Sequence, residues 1–181
     1  MKKVILLTMF LILGSVSHAQ GVHFGIKGGA NFANVDGDLS NSKSITSFHG
    51  GIFVELNLTP NFSIQPEALY SSQGAKVEGF DDVNFNYVNI PVMARFYVLP
   101  KVLSIDAGPQ FGFLVDDDYG NIPGDYKSKS FDFAIGAGAT VNIAAGFFAS
   151  ARYNVGLTDA SDEPGTEIKN MTAQLSLGYK F

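Results

Sequence analysis

The chain has three histidines, His18, His23 and His49, and no cysteine. A neutral imidazole is the usual general base near neutral pH. His49 could form a Ser–His–Asp relay with one of the many Ser and Asp residues. Such a relay is recognised by geometry and not by composition. Gly136-x-Gly138 lacks the third glycine and the strand–helix setting of a dinucleotide fingerprint. The run Asp116, Asp117, Asp118 and the cluster Asp159, Asp162, Glu163 offer oxygen ligands for a hard cation such as Ca²⁺. Neither has EF-hand spacing, and solvated acidic loops are the simpler reading. Without cysteine there is no disulfide, thiolate metal site or lipidated N-terminal Cys. The expectation is a protein that is not an enzyme, with no cofactor and no metal centre.

Ion pairing is the chemistry that the spacing favours. Of 17 acidic residues, 13 fall in four long polar segments, 34–44, 73–84, 114–129 and 157–169, which also carry five lysines for a formal −8. Eight charges remain on the apolar-patterned segments, one on each: Lys27, Glu55, Glu67, Arg95, Asp106, Asp132, Arg152 and Lys180. Every one lies on the polar side of an alternating pattern. Measured from the short connections, Lys27, Glu55, Glu67, Arg95, Asp106 and Arg152 share a similar depth. Asp132 lies nearer the long-loop end, and Lys180 nearer the opposite rim. Four positive and four negative charges can pair, as buried charges must. The expectation is a central network of three bases and three acids.

The elements that would position these charges are strands. Residues 171–181 read MTAQLSLGYKF, with apolar or aromatic odd positions and small or polar even ones. A period of two is a strand with one apolar face. Similar segments occur at 22–33, 45–58, 61–72, 85–98, 102–113, 130–143 and 146–156. Very short links, such as Thr59-Pro60 and Ala144-Ala145, alternate strictly with the four long ones. This predicts an all-β fold: an eight-stranded antiparallel up-and-down transmembrane β-barrel with short periplasmic turns and long extracellular loops. An eight-stranded lumen is nearly filled by side chains, so the charges would plug it. The competing fold is a soluble lipocalin-like carrier, apolar inside and polar outside. One charge per strand is sparse for such an exterior.

Residues 1–19 read as a secretory signal. Lys2 and Lys3 precede an apolar run at 4–13, and Ser17-His18-Ala19 is a small-x-small site, predicting cleavage after Ala19. The domain is then 20–181, with 10 basic and 17 acidic residues and a formal charge of −7. Nothing in that balance suggests nucleic acid.

The segments GIKGGANFANV (25–35), YVNIPVMARFY (87–97), ARYNVGLTD (151–159) and LSLGYKF (175–181) resemble the PorT-like family of outer-membrane β-barrel proteins. The resemblance implies residence in the bacterial outer membrane, surrounded by lipid. It also marks strand 171–181 as similar to the signal read by the barrel-assembly machinery. The family often has an acid before the Ile-Pro of the fourth strand. Asn89 stands there in this chain, so that charge does not carry over. Two functions follow. One is a scaffold whose loops bind a ligand or an extracellular or periplasmic protein. The other is a small membrane-embedded hydrolase of lipid or peptide, in which His49 is the base.

Overall fold

The computed structural model describes residues 21–36, 45–75, 83–118, 131–157 and 169–181. They form a closed barrel of eight antiparallel strands, each bonded to its sequence neighbours and β8 to β1. The strands are β1 (Val22–Asp36), β2 (Ile45–Thr59), β3 (Phe62–Ala75), β4 (Val83–Leu99), β5 (Leu103–Asp118), β6 (Phe131–Asn142), β7 (Phe147–Gly156) and β8 (Lys169–Lys180). Closure leaves neither β1 nor β8 as an edge.

Alternation sets the inside and the outside. On β8, Thr172, Gln174 and Ser176 are buried while Leu175 and Leu177 are exposed, the latter 68 %. Ile26, Ile52, Ile105 and Ile135 are exposed in the same way on four other strands. Aromatic rings flank this aliphatic band at both ends. Near the turns, Phe147 and Tyr179 stack edge-on at 5.0 Å, and Tyr179 and Phe181 at 5.3 Å. Near the loops, Phe113 meets Phe131 at 5.6 Å and Phe48 meets Tyr70 at 6.4 Å. An apolar exterior between two aromatic girdles suits a strand barrel in a bilayer. It contradicts the soluble carrier alternative, which needs the reverse orientation.

The register is strongly staggered. From Tyr87 on β4, partners run through Ser71, His49, Gly29, Ser176, Ser150, Thr140 and Ser104. The circuit returns to β4 at Tyr97 rather than Tyr87, an offset of ten residues. Such a shear tilts the strands and brings side chains that are distant along each strand to one level.

The tight turns require unusual backbone. Gly146 has φ 87° and Ala145 φ 51°, where Phe147 N–H donates to Ala144 O at 2.9 Å. A methyl on Gly146 would strike the Lys180 carbonyl, so glycine is needed there on both counts.

Several strands run past the expected ends, β5 most of all. Asp116, Asp117 and Asp118, expected in a loop, belong to β5 and pair with Asn86, Phe85 and Asn84 of β4. Asp36 likewise belongs to β1, opposite Lys169 of β8. The alternation search stops where apolar residues stop, but backbone pairing with one neighbour is enough to continue a hairpin into water. The signal segment 1–19 and the acids Asp159, Asp162 and Glu163 lie outside the described residues.

Candidate functional site

The lumen is the site, and strand alternation alone turns its charges inward. Glu67 on β3 is the hub of one half. It accepts from Lys27 Nζ at 2.6 Å and from both Arg152 terminal nitrogens, at 3.0 and 2.7 Å. Gln65 Nε2 adds a fourth donor at 2.8 Å. The Glu67 side chain is fully buried. Three cationic or amide side chains around one carboxylate satisfy both its oxygens, which such burial demands.

Arg152 then reaches Asp106 Oδ2 at 3.3 Å. Gly138 of β6 lies between them in the register, opposite Asp106 on one side and Arg152 on the other. A side chain there would collide with the β7 backbone, so its absence opens the path for this bridge. Thr140 links the two halves: its hydroxyl donates to Asp106 Oδ1 at 3.3 Å and accepts from Arg95 Nη2 at 3.2 Å.

Glu55 is the second hub. Ser63 Oγ donates to its Oε1 at 3.0 Å, and the Tyr97 hydroxyl donates to the same oxygen. Arg95 Nη1 stands 3.6 Å from Oε2, and Lys180 Nζ only 2.6 Å. Here the expectation needs correction. Lys180 stands at the turn-end rim, as its place along β8 implies, but it is not separate from the network: its long side chain, 16 % exposed, reaches Glu55. The connected set is therefore Lys27, Arg95, Arg152 and Lys180 with Glu55, Glu67 and Asp106. Asp132 lies on β6, half-buried and opposite Gly112.

Two phenylalanines fill the space beside this network. Phe53 and Phe148 meet edge-on at 5.5 Å and are 2 % exposed. Each ring occupies the place where a side chain on Gly25 or Gly178 would lie. Leu69 and Met93 complete the apolar filling of the lumen.

A neutral layer lies on the other side of Lys27. His49 Nε2 meets Ser176 Oγ at 2.8 Å, and its Nδ1 meets Asn31 Oδ1 at 2.7 Å. Gly29 separates His49 from Ser176 in the register, and its missing side chain lets the ring cross β1 to β8. Asn31 also donates to Ser71 Oγ at 2.8 Å and accepts from Gln174 Nε2 at 3.0 Å. The histidine thus bonds a hydroxyl, as a hydrolase requires, but an amide in place of a carboxylate, and Ser176 is 7 % exposed inside the barrel. The sequence reading singled out the charges and missed Thr140, Tyr97, Asn31 and Ser176 as partners. Their inward parity was available in the alternation, but their cross-strand neighbours depend on the register.

Residues 17–162 match the family model described as the outer membrane protein beta-barrel domain. The chain belongs to that family. Solved structures show the same fold at low identity. Ail, the attachment invasion locus protein of Yersinia pestis, is 21 % identical with a TM-score of 0.55, over 90 % of this chain and 100 % of that one. Neisserial surface protein A is 13 % identical with a TM-score of 0.59, again over 90 % and 100 %. OprG from Pseudomonas aeruginosa is 13 % identical with a TM-score of 0.55, over 89 % and 96 %. No curated protein sequence matches the chain. As an outer-membrane barrel, the protein keeps the ion-paired groups of its strands in the lumen and turns its aliphatic side chains outward.

Proposed function

We propose that this protein is a non-enzymatic outer-membrane scaffold: a barrel closed by its own lumen charges, carrying acidic loops that bind an extracellular ligand or protein. The observation that carries the reading is the connected Glu67–Arg152–Asp106 and Glu55–Lys180 ion pairing in the lumen. Charges so paired, with Phe53 and Phe148 beside them, leave little room for a solute path. The long segments 34–44, 73–84, 114–129 and 157–169 carry a formal −8, which repels polyanions and attracts cationic surfaces. The Ail structure holds sucrose octasulfate, a heparin analogue. The acidic loops here favour a basic partner over a sulfated one.

Lipid surrounds the apolar band in this reading, and strand 171–181 is the segment presented to the barrel-assembly machinery. Residues 1–19 are a signal removed after Ala19. The resemblance of segments 25–35, 87–97, 151–159 and 175–181 supports reading the chain as PorT-like. A second reading, a small hydrolase, draws on the His49–Ser176 bond. Among the described residues an amide, Asn31, stands behind the imidazole where the relay needs a carboxylate, and Ser176 is buried.

Planar-bilayer recordings on the refolded protein test the closed scaffold. The expected result is no steady large conductance; a stable open level of nanosiemens size would overturn it. Capture from intact outer membranes, with and without the four long loops, tests the binding role. A partner retained equally by the loop-deleted barrel would move binding away from the loops.

A further inference from the structure

The short turns form the end of the barrel opposite the long segments. There the short turns surround an open chamber of about 960 Å³, the size of a small-molecule site. Its polar lining is Asn57 and Asn61 of the β2–β3 turn, Lys101 of the β4–β5 turn, His23 of β1 and Lys180 at the inner wall, and apolar side chains such as Phe147 make up much of the rest. No Asp or Glu side chain lines it.

One ammonium at this end is left without an ion pair among the described residues. The links 59–61, 99–102 and 143–146 carry a single ionisable side chain, Lys101. Lys101 is exposed and has no ion pair among the described residues. Its backbone sits at φ 61°, an uncommon region for a lysine. Lys180 supplies a second ammonium, already neutralised by Glu55 on its inner side. An ammonium left without a counter-ion at a concave mouth raises the local concentration of anions there.

We propose that this vestibule binds a phosphate group. Lysine is a common point-charge partner for phosphate, and a phosphate oxygen shell can use donors arriving from several directions. The lysine, imidazole and amide groups here come from separate segments around the mouth. A planar carboxylate would engage fewer of them. The chamber exceeds the volume of the phosphate alone, so it also holds part of the molecule that bears it. That molecule is a soluble phosphate ester or a lipid headgroup, and the two are separable by experiment.

The test uses the refolded full chain in maltoside micelles, which contain no phosphate, followed by amide chemical shifts. One arm adds glycerol 3-phosphate; the other adds a short-chain phosphatidylglycerol. Saturable shifts at Asn57, Asn61 and Lys101 with glycerol 3-phosphate assign a soluble ester. The same shifts with the lipid alone assign a headgroup. In either case Lys101→Asn, which tolerates the left-handed backbone, is expected to weaken binding about tenfold, the loss of one charge-assisted hydrogen bond. Lys101→Arg is expected to retain it. His23→Ala provides a second variant outside the turns. The proposal is overturned if neither compound shifts these residues, or if the shifts survive both Lys101→Asn and His23→Ala unchanged.

Discussion

Replacing Glu67 with glutamine is expected to destabilise the folded barrel by about 3–5 kcal/mol, the range for removing one partner of a buried ion pair. The substitution keeps the size of the side chain and one of its oxygens. It removes the charge that Lys27 Nζ meets at 2.6 Å and that both Arg152 terminal nitrogens share. Arg152 retains Asp106 at 3.3 Å. Lys27 retains no carboxylate within ion-pair distance among the described residues. Most of the loss should therefore come from an unpaired buried ammonium, and Lys27→Met in the Glu67→Gln background should recover part of it. Urea titration of refolding into bilayers, read by the heat-dependent gel shift of folded barrels, gives both values. A Glu67→Gln variant as stable as the parent would remove the ion network from the account of stability.

Leu177→Lys is expected to cost about 2–4 kcal/mol, the range for a cation on the lipid face near the bilayer midplane. Leu177 lies between the turn-end girdle at Tyr179 and the loop-end rings, and it faces outward. Leu58→Lys, also outward but next to the Thr59-Pro60 turn, should cost only about 0–1 kcal/mol because depth sets the penalty. Period-two reasoning alone would name Ser176→Lys as the mild control, since Ser176 lies on the polar face. Packing reverses that expectation. Ser176 is buried against the His49 ring at 2.8 Å, so a lysine there must displace the ring or the strand. The same urea titrations test the ordering, with Ser176→Lys at least as damaging as Leu177→Lys.

The Ser176 case marks where sequence reading stops. The eight strands, their alternation and the inward turn of Lys27, Glu55, Glu67, Arg95, Asp106 and Arg152 follow from parity along each strand, which a sequence displays directly. Which of those charges meet does not follow, because partners lie on different strands and a shear of ten residues fixes their relative height. Lys180 shows the limit: its position along β8 is at the rim, yet the tilt and its long stem also bring the ammonium to Glu55. Gly138 and Gly29 carry no signal of their own in the sequence. They acquire meaning only when the register sets them between Asp106 and Arg152, or between His49 and Ser176. The extension of β5 to Asp118 was hidden because its acids break the apolar pattern while its backbone keeps pairing with β4.

In a bilayer, lipid should touch the aliphatic face while ionic and aromatic side chains fill the lumen. The chain contains no tryptophan, so a single introduced indole reports on its own surroundings. Leu177→Trp and Phe148→Trp differ in face and lie on adjoining strands, β8 and β7. In bilayers of lipid brominated along the acyl chain, the account predicts strong quenching of Trp fluorescence in the Leu177→Trp protein and little in the Phe148→Trp protein. Equal quenching, or stronger quenching from position 148, would contradict it.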